Sequence, residues 1–194
     1  MKKNKTKIIA IVVTSVFAVL VSALAVWFFV FRVGKVSIDE YYEGITWDLT
    51  ATQARNILLN DGYKIQKEGT VPVFDVESFG GYEGANGRIG LIANKDDKLG
   101  NILISFSDES MDVKKLNKFF KACTKELESQ FDKKLDMVEF LGTEYSNRDE
   151  ECSDVIYMGE NSCIELIYYE DRKIMIVYTP ADDEYCQELL RFAK

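Results

Sequence analysis

The feature that most constrains this chain is the run Ile8–Phe31, IIAIVVTSVFAVLVSALAVWFFVF. It holds 24 residues with no charge and only three hydroxyls, those of Thr14, Ser15 and Ser22. As a helix it would reach ~36 Å, enough to cross a ~30 Å hydrocarbon core with some tilt. A helix apolar on every side with basic residues at one end belongs in lipid rather than in a soluble core. Lys2, Lys3, Lys5 and Lys7 precede it, whereas only Arg32 and Lys35 follow before the acids Asp39, Glu40 and Glu43. That asymmetry places the N-terminus in the cytoplasm and the rest of the chain outside. Trp27, Phe28, Phe29 and Phe31 suit the outer interface, where aromatic rings settle. The competing reading is a cleaved signal peptide with Ala23-Leu24-Ala25 as the small-residue site. Cleavage there would leave VWFFVF as a new N-terminus, and the run is long for a signal core. A lipidated cysteine is not expected, because none occurs before Cys123. The expected organisation is a cytoplasmic basic tail at 1–7, a transmembrane helix at 8–31, a juxtamembrane stalk at 32–44 and an extracytoplasmic domain at 45–194. The expected location is therefore a cell membrane, crossed once.

The soluble part has the length of one ordinary domain and enough Val, Ile, Leu, Phe and Tyr to build a core. All 32 acids lie beyond residue 35, but only 18 of the 24 bases do, a net charge of −14 for that part. Such a domain repels phosphate backbones, so nucleic acid is not an expected partner; the membrane and a protein of the envelope are.

Cys123, Cys152, Cys163 and Cys186 all fall in the exported part. An even number outside the cytoplasm permits two disulfides in any of three connectivities, with buried thiols as the alternative. No C-x-x-C occurs, so neither a redox motif nor a zinc ribbon is indicated.

Along the chain, Tyr41 and Tyr42 either lie at the membrane surface or begin the domain. Thr50 and Gln53 form a capping box for a short helix whose stripe is Ala54, Ile57 and Leu58 and whose stop is Gly62. Tyr63-Lys64-Ile65 starts a strand. Period-two patterning then predicts strands near Val71–Val76, Ile89–Ala93 and Ile102–Ser107, the last two joined by the turn Asn94–Gly100. A longer helix is expected over 112–133, capped by Ser110, with Val113, Leu116, Phe120, Cys123, Leu127 and Phe131 on its apolar face. Strands are expected at Leu135–Leu141, Val155–Met158, Cys163–Tyr169 and Lys173–Thr179. A final helix is expected from Pro180, capped by Thr179, burying Tyr185, Leu189 and Phe192. The order helix–strands–helix–strands–helix predicts an α+β fold: one antiparallel sheet with about three helices packed on one face. The halves repeat this order about 60 residues apart without a residue-level repeat.

The stretch Gly44-Ile-Thr-Trp-Asp-Leu-Thr-Ala-Thr-Gln-Ala-Arg55 resembles the helix start of many bacterial exported domains. The stretch Cys163-Ile-Glu-Leu-Ile-Tyr-Tyr-Glu-Asp-Arg-Lys-Ile-Met-Ile-Val-Tyr178 is similar to their closing hairpin. Together they resemble membrane-anchored or lipoprotein domains shaped like β-lactamase-inhibitor proteins and outer-membrane-assembly lipoproteins. The resemblance implies a small α+β scaffold that binds other macromolecules without catalysis, and it transfers no functional residue.

The sequence contains no histidine, which excludes Ser-His-Asp and Cys-His arrangements, His-ligated zinc and a histidine general base. No catalytic, cofactor-binding or metal-binding residue is indicated. The segment Phe79-Gly-Gly-Tyr-Glu-Gly-Ala-Asn-Gly-Arg88 lacks the Lys-Ser/Thr of a phosphate loop. It reads as a long mobile connection between strands or, functionally, as a recognition loop whose Phe79, Tyr82 and Arg88 supply contact area. The acidic clusters at Asn94–Asn101 and Asp149–Asp154 do not fit a calcium loop and read as solvated turns. The expected function is that of a single-pass, membrane-tethered binding domain outside the cytoplasm. The alternative is a carboxylate-dependent enzyme acting on cell-wall or extracellular substrates.

Overall fold

The computed structural model describes residues 35–141, 152–169 and 172–193. The expected tail and membrane span at 1–31 lie outside these residues, as do residues 149–151 of the second acidic cluster. Among the described residues no helix is long and apolar enough to cross a membrane. The compact unit runs from Val36 to Lys194.

The first half begins with α1 (Ala51–Asn60), where the capping box is complete: Gln53 N donates to Thr50 Oγ1 and Thr50 N donates to Gln53 Oε1. It continues into a meander of β1 (Lys64–Lys67), β2 (Val73–Phe79), β3 (Tyr82–Ala93) and β4 (Leu99–Ser107). The second half begins with α2 (Val113–Gln130) and continues through β5 (Lys133–Asp136), α3 (Met137–Leu141), β6 (Cys152–Met158), β7 (Ser162–Tyr169) and β8 (Lys173–Pro180). It closes with α4 (Glu184–Leu189). All eight strands form one antiparallel sheet in the order β1-β2-β3-β4-β8-β7-β6-β5. Each half is thus a helix followed by a four-stranded meander, and the two last strands pair at the centre, with Ile104 opposite Ile176. Both edge strands are four residues long and carry two lysines, KIQK and KKLD, which discourages further strand addition.

The pairing register sorts side chains into two faces. On the first, Phe74, Ile89, Ile104, Ile176, Leu166 and Val155 form one row across the sheet. Ala54 and Leu58 of α1 and Leu116, Phe119, Cys123 and Leu127 of α2 pack on this face and join the larger core. Its centre is aromatic: Phe119 stands edge-on to Phe106 with centroids 4.7 Å apart, and Phe79 stacks on Tyr42 at 6.0 Å. On the second face a smaller cluster joins Leu135, Ile156, Met158 and Cys163 to Met137 of α3 and to Cys186 and Leu189 of α4.

Several expectations need correction. The helices do not share one face: α1 and α2 lie on one side, α3 and α4 on the other, and α3 interrupts the expected element order. The stretch 36–44, expected as a stalk, belongs to the domain. Val36, Ile38, Tyr42 and Ile45 are buried in the larger core: Val36 and Ile38 alternate along an extended stretch, and a short 3-10 turn at Tyr42–Gly44 turns Tyr42 and Ile45 inward. Two turns hold this strap. Ser37 N donates to the Gly80 carbonyl at 2.8 Å, and the Glu40 carboxylate accepts from Glu160 N at 2.6 Å and from Asn161 N at 3.3 Å. Ser162 Oγ donates to the Glu40 carbonyl and accepts from Trp47 Nε1 at 3.0 Å. A β-carbon at Gly80 would strike the Ser37 carbonyl oxygen, and one at Gly159 would strike the Glu40 carboxylate.

Cap assignments also shift. The cap of α2 is Asp112, whose side chain accepts from Lys114 N, while Ser110 Oγ accepts from Ser107 N in the preceding turn. The last helix starts at Glu184 under an Asp183 cap. Pro180 ends β8 instead, opposite Ser162.

Candidate functional site

The expected recognition loop 79–88 is a β-hairpin. Phe79 and Tyr82 pair across Gly80 and Gly81, whose φ values of +54° and +76° suit a tight turn that glycine enters without strain. A second irregularity follows at Gly84, φ +75°, where β3 bulges. The three named residues do not share a surface. Phe79 is 2 % exposed within the aromatic core. Tyr82 is half-buried with its ring 5.0 Å from that of Phe119, and burial raises its phenol pKa. Arg88 alone is exposed, and its register with Asp75 and Ser105 puts it on the second face of the sheet.

That face has two parts. Over β5, β6 and β7 it is covered by α3 and α4. Over β2, β3, β4 and β8 it carries Asp75, Arg88, Ser105 and Met175 in one row and Val73, Gly90, Leu103 and Val177 in the next. Leu103, Ser105, Met175 and Val177 are all half-buried, although the alternate residues of the same two strands are wholly buried in the core. A groove of about 680 Å³ opens at one end of this surface. Asp75, Glu77, Asp108 and Glu109 line it together with Arg88, Arg172 and Lys173, and its floor is lined by Ser105 and Ser107. The polarity is mixed and the walls are side chains of several strands, a composition suited to polar contact with a folded surface.

Under α4 the second face holds a different chemistry. Asp154 on β6 and Glu165 on β7 are diagonal neighbours, since Asp154 pairs with Ile167 and Ile156 pairs with Glu165. Asp154 is 1 % exposed. The Glu165 carboxyl is pushed up to about 7 by burial, by the adjacent Asp154 charge and by its hydrogen bond to Asp154. Two like charges this close disfavour double ionisation, so the pair retains a proton toward neutrality. Tyr185 of α4 lies near enough to feel them; burial raises its phenol first, and the charges of Glu165 and Asp154 raise it further. Beside these groups the thiols of Cys163 and Cys186 are hydrogen-bonded to each other. Cys163 is lowered by that bond, and Cys186 is raised by it and by burial. Neither carboxyl lines the groove described above.

Sequence reasoning missed the acid pair because alternation along β7 assigns Glu165 to the polar side. Only the later helix, folding back across that side, buries it. Cys123 lies on the buried side of α2, 0 % exposed against the other face of the sheet, and burial pushes its thiol up, which makes it a packing residue. In the acidic turn after β3, Asn94 Oδ1 accepts from Asp96 N at 2.9 Å and Lys98 N at 3.1 Å, so that oxygen holds the hairpin loop in shape. Among the described residues no group of three or more acids and cysteines is arranged to hold a metal ion. Compared with protein-family models, curated proteins and solved structures, the chain matches none.

Proposed function

We propose that this chain is a single-pass, membrane-tethered binding domain that works outside the cytoplasm and engages a protein partner through the uncovered part of its sheet. The observation that carries the reading is that surface: four adjacent strands, β2, β3, β4 and β8, present Arg88, Ser105, Leu103, Met175 and Val177 with a groove at one end. A sheet face with half-buried aliphatic residues beside paired signs of charge offers both the apolar area and the specificity that a protein contact needs. The tether rests on the uncharged run Ile8–Phe31 and its lysine-rich leading flank. The acidic soluble part speaks against nucleic acid, and the resemblance to exported binding scaffolds points the same way as the sheet. The test is a photo-crosslinker placed at Ser105 in the full chain within its native membrane. A discrete protein adduct that disappears when Arg88→Glu is added supports the reading. Adducts that form equally from Lys118, on the opposite side of the domain, would contradict it.

One observation favours the second reading, a carboxylate-dependent enzyme. Glu165 keeps its proton to about pH 7 beside Asp154, which is the state required of a general acid. Release of soluble fragments from isolated cell walls by the purified chain, lost in Glu165→Gln, would favour it over the binding domain.

A further inference from the structure

The four cysteines permit several pairings by sequence, but the fold separates them. Cys123, on the inward side of α2, packs on the first face of the sheet, whereas Cys163 and Cys186 share the smaller cluster on the second. Cys152 and Cys163 belong to paired strands, but Cys163 lies opposite Met158, six residues along β6 from Cys152. At ~3.3 Å per residue that separates their backbones by ~20 Å, far beyond the ~7 Å that a disulfide tolerates. Cys163 sits on β7 and Cys186 near the start of α4, and their side chains are within hydrogen-bonding reach. Both are buried, at 3 % and 2 % exposed.

From this juxtaposition we infer that Cys163 and Cys186 are the disulfide-forming pair of the domain, closed by exchange with an external disulfide and clamping α4 onto β7. Either thiol can lead once α4 is lifted, and the exchange balances identically from Cys163 or from Cys186. With Cys163 leading, its thiolate attacks one sulfur of the external disulfide, forming a mixed disulfide and expelling a thiolate. Cys186 loses its proton to that leaving group or to solvent, and its sulfur attacks Cys163, expelling the second thiolate. Two thiols are oxidised and one external disulfide is reduced to two thiols, with both protons passing to the products. Because both sulfurs are buried once α4 is docked, exchange occurs before α4 settles or when it lifts. The closed bond fixes the start of α4, with Tyr185 the residue before Cys186, against β7.

The pairing does not depend on the proposed partner, though its closure in cells depends on the proposed address. The test begins with the full chain purified in detergent, reduced, then exposed to oxidised glutathione and mapped by differential alkylation. A linked Cys163–Cys186 peptide pair, with Cys123 labelled only after unfolding, is the expected result. Both thiols still open to alkylation on unfolding, or either linked to another cysteine, would overturn the inference. A reductant should then lower the melting temperature of the oxidised chain by roughly 5–10 °C and leave a Cys163→Ser/Cys186→Ser variant unmoved. Equal sensitivity in both would also overturn it. The same mapping on acid-quenched cells separates the two readings: a pair that closes with glutathione but is reduced in cells keeps the pairing and removes the oxidising address.

Discussion

The two faces of the sheet are built from the same strands by the same alternation, yet they serve different ends. The first is covered along its length by α1, α2 and the strap 36–45, and it buries a contiguous aromatic core around Phe79, Phe106, Phe119, Tyr42 and Tyr178. The second is covered only at one end, by two helices of five and six residues, and there it buries carboxyls and thiols among its apolar groups. The contrast teaches that stability and chemistry have been segregated. A face with only apolar partners has no cost of polar burial to offset, whereas a small cluster can hold acids only by keeping a proton on one of them.

The largest effect should come from the first face. Phe119→Ala removes a ring in contact with Phe79, Tyr82 and Phe106 and should cost about 3–5 kcal/mol, read as a lowered denaturant midpoint. Met175→Ala on the second face should cost less than ~1.5 kcal/mol, since that residue is only half-buried. Equal losses would break the comparison.

Next come the turn contacts of the strap. Gly80→Ala places a side chain at φ +54° and against the Ser37 carbonyl, and should cost about 2–4 kcal/mol. Gly81→Ala, with the same sign of φ and open space around it, should cost about 1–2 kcal/mol. The difference between the two melts isolates the strap.

The acid pair adds a pH dependence to the second face. Glu165 releases its proton near 4.5 when unfolded and near 7 when folded, so between those values the folded state binds the extra proton. Stability from this group is therefore greatest below about pH 4.5 and falls as pH rises to about 7. The loss should be on the order of 2 kcal/mol, measured as the difference between wild type and Glu165→Gln in urea melts at pH 5 and pH 8. A difference that does not change with pH would show that the pair is solvated.

A smaller effect belongs to the α1 cap: Thr50→Ala should cost about 1 kcal/mol by removing the acceptor for Gln53 N. The smallest belongs to Arg88→Glu, expected to move the melt by less than ~0.5 kcal/mol while abolishing partner capture.

Much of the first face was legible in the sequence because its signals are local. The capping box at Thr50 and Gln53, the stripe of α1 and the hairpin from β3 to β4 each need only a few neighbouring residues. What was not legible depends on distant parts of the chain. The pattern of α2 fits Phe119 or Phe120 equally well by spacing. Packing decides: Phe119 enters the core, while Phe120 stacks on Tyr168 at 4.4 Å. Thr179-Pro180 carries the chemistry of a helix start, but pairing with Ser162 and Cys163 keeps both residues in β8, and Asp183 caps the helix three residues later. Glycines 80, 81 and 84 read as a loop because glycine marks tight turns and long loops alike. Of the proposed surface, the sequence offered Arg88 and placed it beside Phe79, which the register sends to the opposite face.

The central claim is that the uncovered part of the second face is occupied when the chain works. Hydroxyl-radical footprinting of the full chain, in its native membrane and after purification in detergent, tests it directly. The account predicts that Met175 is protected in the membrane relative to the purified chain, while Phe192, 54 % exposed beyond α4, is labelled equally in both. Equal labelling of Met175 in the two states would contradict it.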